Sequence, residues 1–222
     1  MRVLRANRLS SAAMKPSHDP AGPARPKRPP VVTATASAPQ EVRLIGGRWK
    51  RTPLPVADRP GLRPTPARVR ETLFNWLGQD LSGLACLDLF AGSGALGFEA
   101  ASRGAAKVVM VDQSPQVLAA LEANARNLGG DPRLRMVRSD AVRFVGYEGS
   151  RFDVLFLDPP FRQGWIERLA PIVHGVLAAD GVIYAEAEDF LEGCGSWRTV
   201  RHGRAGQVFY HLMRRGETDG TE

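Results

Sequence analysis

Between Ala85 and Ala187 the chain alternates short apolar runs with longer amphipathic stretches, and this restricts the fold more than any other feature of the sequence. The apolar runs are Ala85 to Phe90, Lys107 to Asp112, Leu134 to Asp140, Phe152 to Asp158 and Gly181 to Ala187. They are short, rich in Val, Leu and Phe, and bounded by turn residues, so they predict strands. Ala95 to Arg103 is closed by Gly104. Ser114 to Leu128 opens on an N-cap serine with Pro115 in the first turn and stops at Gly129, and Trp165 to Leu177 is a third helical stretch. Alternation of this kind folds as a parallel sheet with helices on both faces. Ser196 to Val200 and Gln207 to Met213 have no helical segment between them and predict a terminal hairpin, which adds antiparallel strands to an otherwise parallel sheet. The expected fold is therefore α/β, with a mostly parallel seven-stranded sheet.

Upstream of the sheet, Val42-Arg43-Leu44-Ile45 predicts a short strand and Gly46-Gly47-Arg48-Trp49-Lys50 a turn. In Arg63-Pro64-Thr65-Pro66, Thr65 suits an N-cap and Pro66 the first helical position, and Val69, Leu73, Trp76 and Leu77 recur on one face up to Gly78. The chain divides into a Pro- and Ala-rich basic tail at 1–40, a basic extension at 41–80, the sheet domain at 81–215 and a short terminus at 216–222. Residues 1–40 lack apolar periodicity and are expected to be disordered; a transit peptide is the other reading of an acid-poor, Arg- and Ser-containing start. Charge follows the same division. Residues 1–40 and 41–70 are each +6, whereas 71–222 is −5, so a basic handle for a polyanion is attached to an acidic body.

Several classes are excluded. No stretch approaches the roughly 18 apolar residues of a membrane span, and no secretory signal is recognisable. We expect a cytoplasmic protein with no membrane partner. Cys86 and Cys194 lack metal or disulfide spacing, and His18, His174, His202 and His211 are scattered, so structural roles and no metal site are expected.

Ligands of such a sheet bind beyond the carboxyl ends of its strands. Four acids fall there: Asp88, Asp112, Asp140 and Asp158. Gly92-Ser93-Gly94-Ala95-Leu96-Gly97 matches the dinucleotide-loop pattern, with Asp112 about 20 residues beyond it. Asp88 argues against a pyrophosphate there, because a carboxylate repels one, and it suits a cofactor with a cationic ammonium. S-adenosylmethionine is such a cofactor. In that frame Asp88, Phe90, Ala91, Gly92, Ser93 and Gly94 form the cofactor loop. Asp112 accepts the ribose hydroxyls, Asp140 accepts the adenine amino proton and Ala141 offers a backbone N–H.

Asp158-Pro159-Pro160-Phe161 is the more specific signal. Two prolines stiffen the chain and donate no backbone hydrogen bonds, so the strand delivers a carboxylate and a carbonyl in fixed orientation. An exocyclic base amine is a poor nucleophile because its lone pair is delocalised. Donating its protons to Asp158 and to the Pro159 carbonyl biases the nitrogen toward pyramidal geometry, while Phe161 offers a stacking face.

With these residues assembled, the chain resembles the RsmD family of bacterial methyltransferases. The resemblance rests on Arg43 to Trp49, Pro60 to Thr65, Arg68 to Leu77, Asp88 to Gly97 and Asp158 to Phe161, and spans about Val42 to Met213. It implies a class I S-adenosylmethionine-dependent methyltransferase fold, Rossmann-like. The implied reaction is methylation of the exocyclic N2 of a guanine, position 966 in the usual bacterial numbering, in 16S ribosomal RNA of an assembled or assembling small subunit. The enzyme is expected to act as a monomer. Arg43, Arg48, Lys50, Arg63, Arg68 and Arg70 would contact phosphates beside the pocket. Asp112 departs from a pattern in which glutamate is common, and residues 1–40 have no family counterpart. Three other readings differ in chemistry: a DNA-adenine or protein-glutamine methyltransferase, a nicotinamide-dependent oxidoreductase, and a non-catalytic RNA-binding protein.

Overall fold

A computed structural model describes residues 41–57 and 64–216, so Arg63 and the 1–40 tail lie outside the described residues. The extension begins with two short antiparallel strands, β1 (Glu41–Arg43) and β2 (Pro53–Pro55), and continues into helix α1 (Ala67–Leu77). The main sheet follows: β3 (Ala85–Asp88), α2 (Ala95–Ser102), β4 (Lys107–Asp112), α3 (Pro115–Asn127), β5 (Leu134–Arg138), α4 (Ala141–Tyr147), β6 (Phe152–Leu157), α5 (Trp165–Leu169), β7 (Leu177–Ala187), β8 (Gly193–Cys194), β9 (Trp197–Ala205) and β10 (Val208–Arg215). In space the order is β5-β4-β3-β6-β7-β10-β9-β8, and the first five strands are mutually parallel. The expected hairpin, β9–β10, pairs antiparallel with β7 and completes seven strands; the two-residue β8 adds an eighth at the edge. The chain leaves β3 toward β4 and β5, then returns to β6 on the other side of β3. The switch point therefore falls between β3 and β6, where Asp88 and Asp158 stand.

The period-two alternation of side chains divides the core into two layers. Cys86, Val108, Met110, Val154, Phe156, Val182 and Tyr184 face α1, α2, α3 and the extension. Leu87, Val109, Val111, Leu155, Leu157, Ile183 and Ala185 face α4 and α5. The extension contributes Leu44, Trp49 and Leu54 to the first layer, so it shares a core with the sheet. Glu99, wholly buried on α2, fastens it. Its carboxylate accepts the Ile45 N–H at 2.8 Å and faces two buried guanidinium groups, Arg103 at 2.9 Å and Arg70 at 3.4 Å.

Four local expectations need revision. Helix α1 begins at Ala67, with Pro66 as its cap and no side-chain capping bond, because the Thr65 hydroxyl is turned away to Asp158. The stretch expected as one helix from Trp165 to Leu177 is α5 followed by a single 3-10 turn at Val173–Gly175. Pro171 lies within that stretch and cannot supply the N–H a continuing helix needs. β7 accordingly starts at Leu177, four residues earlier than expected. Helix α4 was not expected; Asp140 caps it by accepting the Arg143 N–H at 3.1 Å, so β5 stops at Arg138. Both cysteines are buried thiols. No helix among the described residues is long and apolar enough to cross a membrane, and no group of three or more His, Cys, Asp or Glu residues among them could hold a metal.

Candidate active site

The alternation that sorts the core also sorts the acids. Asp88, Asp112 and Glu186 continue the face of Cys86, Met110 and Tyr184, and Asp158, following β6, bonds to Thr65 on the same side. One rim of the sheet therefore carries carboxylates from four adjacent strands, β4, β3, β6 and β7. Asp140 lies beyond, at the end of β5.

The glycine loop is built as the sequence suggests, with one change of emphasis. Gly92 and Gly94 have φ of 48° and 76°, a left-handed region open to glycine at little cost. Asp112 clamps the loop: Oδ2 accepts the Gly92 N–H at 3.2 Å and Oδ1 the Ser114 N–H at 2.8 Å. Gly97, the last glycine of the pattern, gives its N–H to Asp88 Oδ2 at 3.0 Å. A Cβ there would sit 2.6 Å from Met110 Cγ, so this glycine lets α2 pack on β4. Asp88 itself is buried, 2% exposed, and does not stand open at the loop mouth as expected. Burial pushes its carboxyl up to about 7, against the hydrogen bonds from the Gly97 and Phe90 amides and with a further push from Asp112. A cationic ligand at the loop would therefore meet Asp88 as a buried group and not as an open carboxylate. Phe90 packs edge-on to Trp165 at 5.2 Å, and Ala91 and Ser93 are buried.

At the acceptor end, Asp158 is half-buried, Pro159 is buried, Pro160 is exposed and the Phe161 ring is 41% exposed. The Thr65 hydroxyl donates to Asp158 Oδ2 at 3.3 Å. Burial raises the Asp158 carboxyl well above its ordinary value, and the charges of Glu186 and Asp88 raise it further. Glu186 is buried and accepts the Tyr184 hydroxyl at 2.8 Å; burial raises its carboxyl too. Beyond Phe161, Arg162 adopts φ 60° and is held by Glu188, whose oxygens accept its backbone N–H and its Nε, each at 3.0 Å. His211 is wholly buried. Its Nε2 accepts the Leu191 N–H at 3.1 Å, which places the proton on Nδ1 facing the Ala185 carbonyl at 3.3 Å. Burial lowers its basicity, so this histidine is a neutral brace between β10 and β7, in keeping with the structural role expected of it.

The basic residues do not gather in one place. Arg43 is exposed and paired with Glu41 at 2.5 Å, and Arg68 is exposed on the first turn of α1, three residues after Thr65. Arg70 cannot meet a phosphate: it is 3% exposed and spends Nε on the Thr65 carbonyl, Nη2 on the Arg43 carbonyl and Nη1 on Glu99. Arg48 and Lys50 are exposed but not beside the pocket. The Arg48 N–H bonds the carbonyl of Ser102, the last residue of α2, at 2.7 Å. Eight residues of helix span about 12 Å, so the turn lies that far from the glycine loop, toward the opposite rim. A cavity of about 570 Å³ opens there among Arg48, Ser102, Asp131 and Arg133.

Thr65, Tyr184 and Glu186 are the site residues that sequence reasoning missed. Thr65 carries the local signature of a helix cap. Glu186 lay inside a predicted strand, where its parity with Val182 and Tyr184 was the available signal.

The donor set decides the kind of cofactor. Asp88, Asp112 and Asp140 surround loops in which no Lys or Arg occurs between Leu89 and Gly94 or at residues 112–114 and 139–141. A pyrophosphate would face carboxylates without a counter-charge, whereas a ligand with a cationic ammonium, ribose hydroxyls and an amine matches them. When bound, such a ligand supplies an electrophilic methyl group. Fold and site together define an S-adenosylmethionine-dependent methyltransferase. The Conserved hypothetical protein 95 family model matches residues 42–214, and the chain belongs to this family, that of RsmD. It is 42% identical over 187 residues to the ribosomal RNA small subunit methyltransferase D of Escherichia coli K12, covering 81% of this chain and 94% of that one. The Haemophilus influenzae protein of the same name is 37% identical over 80% and 96% of the two chains. Among solved structures, a putative methyltransferase from Escherichia coli superposes with a TM-score of 0.72 at 42% identity, over 79% of this chain and 98% of that one. An RNA methyltransferase from Salinibacter ruber, in complex with S-adenosyl-L-homocysteine, has the same fold: TM-score 0.57, 20% identity, 70% and 95% covered. Membership closes the oxidoreductase reading that the glycine pattern had allowed.

Proposed function

We propose that this enzyme methylates the exocyclic N2 of a guanine in 16S ribosomal RNA, position 966 in the usual bacterial numbering, acting as a monomer on an assembled or assembling small subunit in the cytoplasm. The observation that carries this reading is the end of β6, where a half-buried carboxylate, a rigid Pro-Pro step and an exposed aromatic ring follow one another. Asp158 and the Pro159 carbonyl accept the two amine protons and turn the nitrogen lone pair toward the methyl donor, and Phe161 stacks on the base. Asp112 receives the ribose hydroxyls, Asp140 and the Ala141 amide hold the adenine, and Gly92 to Gly94 allow close approach of the methionine part. Arg43 and Arg68 hold phosphates beside the pocket, with Arg48 and Lys50 as a second contact beyond it. The ribosomal substrate is supported by the names of the relatives and by the +6 charge of residues 41–70. Mass spectrometry of ribosomal RNA nucleosides from a deletion strain tests it, with loss of one N2-methylguanosine expected. Label from S-adenosylmethionine entering DNA or a release factor, and not ribosomal RNA, would overturn it.

A further inference from the structure

We propose that Glu186 is the proton partner of Asp158. The two carboxylates stand side by side at the ends of β7 and β6 with the Thr65 hydroxyl between them, and act as a dyad in which the charge of Glu186 raises the proton affinity of Asp158, the group that accepts the substrate amine. This rests on the amine-methylation reading given above.

The geometry comes from register. Leu157 pairs with Ala185, so the next residues, Asp158 and Glu186, end neighbouring parallel strands, whose spacing is about 4.8 Å. They project from the same face, and Thr65 has a single hydroxyl proton to divide between them. The surroundings supply no counter-charge. Asp88 faces the pair from β3, Tyr184 from β7, and Tyr210 of β10 lies opposite Glu186. The buried guanidinium of Arg70 on α1 is committed to the Thr65 and Arg43 carbonyls and to Glu99. Among the described residues, no Lys or Arg bonds either carboxylate of the dyad. Like charges at this separation raise each other's proton affinity, and the pair titrates as a unit.

Hydrogen bonding divides the work. Glu186 is buried and receives the Tyr184 and Thr65 hydroxyls, which favour its charged form, whereas half-buried Asp158 is the member of the pair that takes up and releases the proton. When the N–C bond forms and the S–C bond breaks, its electron pair staying on sulfur, the nitrogen must lose one N–H proton. Asp158 takes it, made more basic by the neighbour, and then releases it to solvent. Glu186 acts through Asp158 and is a positioning residue.

The test has a readout that needs no substrate. Carboxyl-carbon NMR titration of the full chain, followed by the pH profile of methyl transfer, would compare Glu186→Gln, Thr65→Val and Thr65→Ser with wild type. Glu186→Gln keeps the shape and removes the second charge, so Asp158 should bind its proton about tenfold or more weakly, and the acid limb of the profile should move to lower pH. Thr65→Val removes a donor to the anion and should move both in the opposite direction; Thr65→Ser should restore them. An unchanged Asp158 titration in Glu186→Gln, or shifts of the same sign in Glu186→Gln and Thr65→Val, overturns the dyad. If the NMR shifts appear but ribosomal RNA is not methylated, the substrate reading fails and the dyad stands.

Discussion

Replacing Glu99 by alanine should be the single change that most loosens the extension from the sheet domain. The carboxylate is fully buried and accepts the Ile45 amide at 2.8 Å, Arg103 Nε at 2.9 Å and Arg70 Nη1 at 3.4 Å. The two arginine side chains are 4% and 5% exposed, and Arg103 also lies over the Phe74 ring at 4.6 Å, so neither head can swing into water without disrupting the layer below. Removing one member of a buried ion network leaves uncompensated charge, at a cost of about 3–5 kcal/mol. For a chain of this size that corresponds to roughly 6–20 °C in Tm. Urea unfolding followed by tryptophan fluorescence measures it, since Trp49 and Trp76 belong to the affected layer. A loss below about 1 kcal/mol would refute the reasoning. The same logic predicts recovery: changing Arg70 and Arg103 to methionine and Glu99 to leucine together should restore most of the loss, because an apolar replacement of the whole network strands no charge.

Asp158→Asn should abolish methyl transfer while RNA affinity, measured by filter binding, stays within a few-fold of wild type. Asp88→Asn should show a pH-dependent gain in stability. Folding raises the Asp88 pKa from 3.8 to about 7, so the folded state binds more protons and stability falls as pH rises across that interval. The variant should therefore melt above wild type at pH 8 and lose that advantage near pH 4; a constant difference would show that the carboxyl titrates normally. Gly47→Ala should undock the hairpin, since a Cβ would lie 1.9 Å from the Ser102 carbonyl oxygen at a φ of 70°, and limited proteolysis between Arg43 and Arg51 reports it. Each of Arg48→Ala and Lys50→Ala should reduce the salt dependence of RNA binding by about one unit of slope if each meets a phosphate. An unchanged slope removes that residue from the interface.

The parallel core was legible because its signal is local: apolar runs of strand length separated by helical periods, with glycine or serine at the boundaries. The switch point followed from the same pattern, and with it the rim that carries Asp88, Asp112 and Asp158. Features that depend on long-range packing were not legible. Arg70 and Arg68 are two residues apart and look alike in sequence, yet one is buried against Glu99 and the other is exposed. Thr65 satisfies every local rule for a cap and is diverted by a carboxylate 93 positions away. Arg48 and Lys50 sit within five to seven residues of Arg43, but a tight turn carries them along α2 toward the opposite rim of the sheet. Helix α4 escaped because seven residues are too few for a periodic signal, although Asp140 was visible as a cap in hindsight of its Arg143 contact.

The hairpin that α2 holds in place gives the enzyme a caliper. Its arms bury Val42 and Val56 against Ala95 at the loop end of the helix, and its turn rests on Ser102 at the other end, so the interval between the methylation pocket and Arg48 is set by the length of one rigid helix. Lengthening α2 by one turn would move one jaw by about 5 Å while leaving the chemistry untouched. An RNA gripped at both ends would then present a different nucleotide to the same catalytic groups.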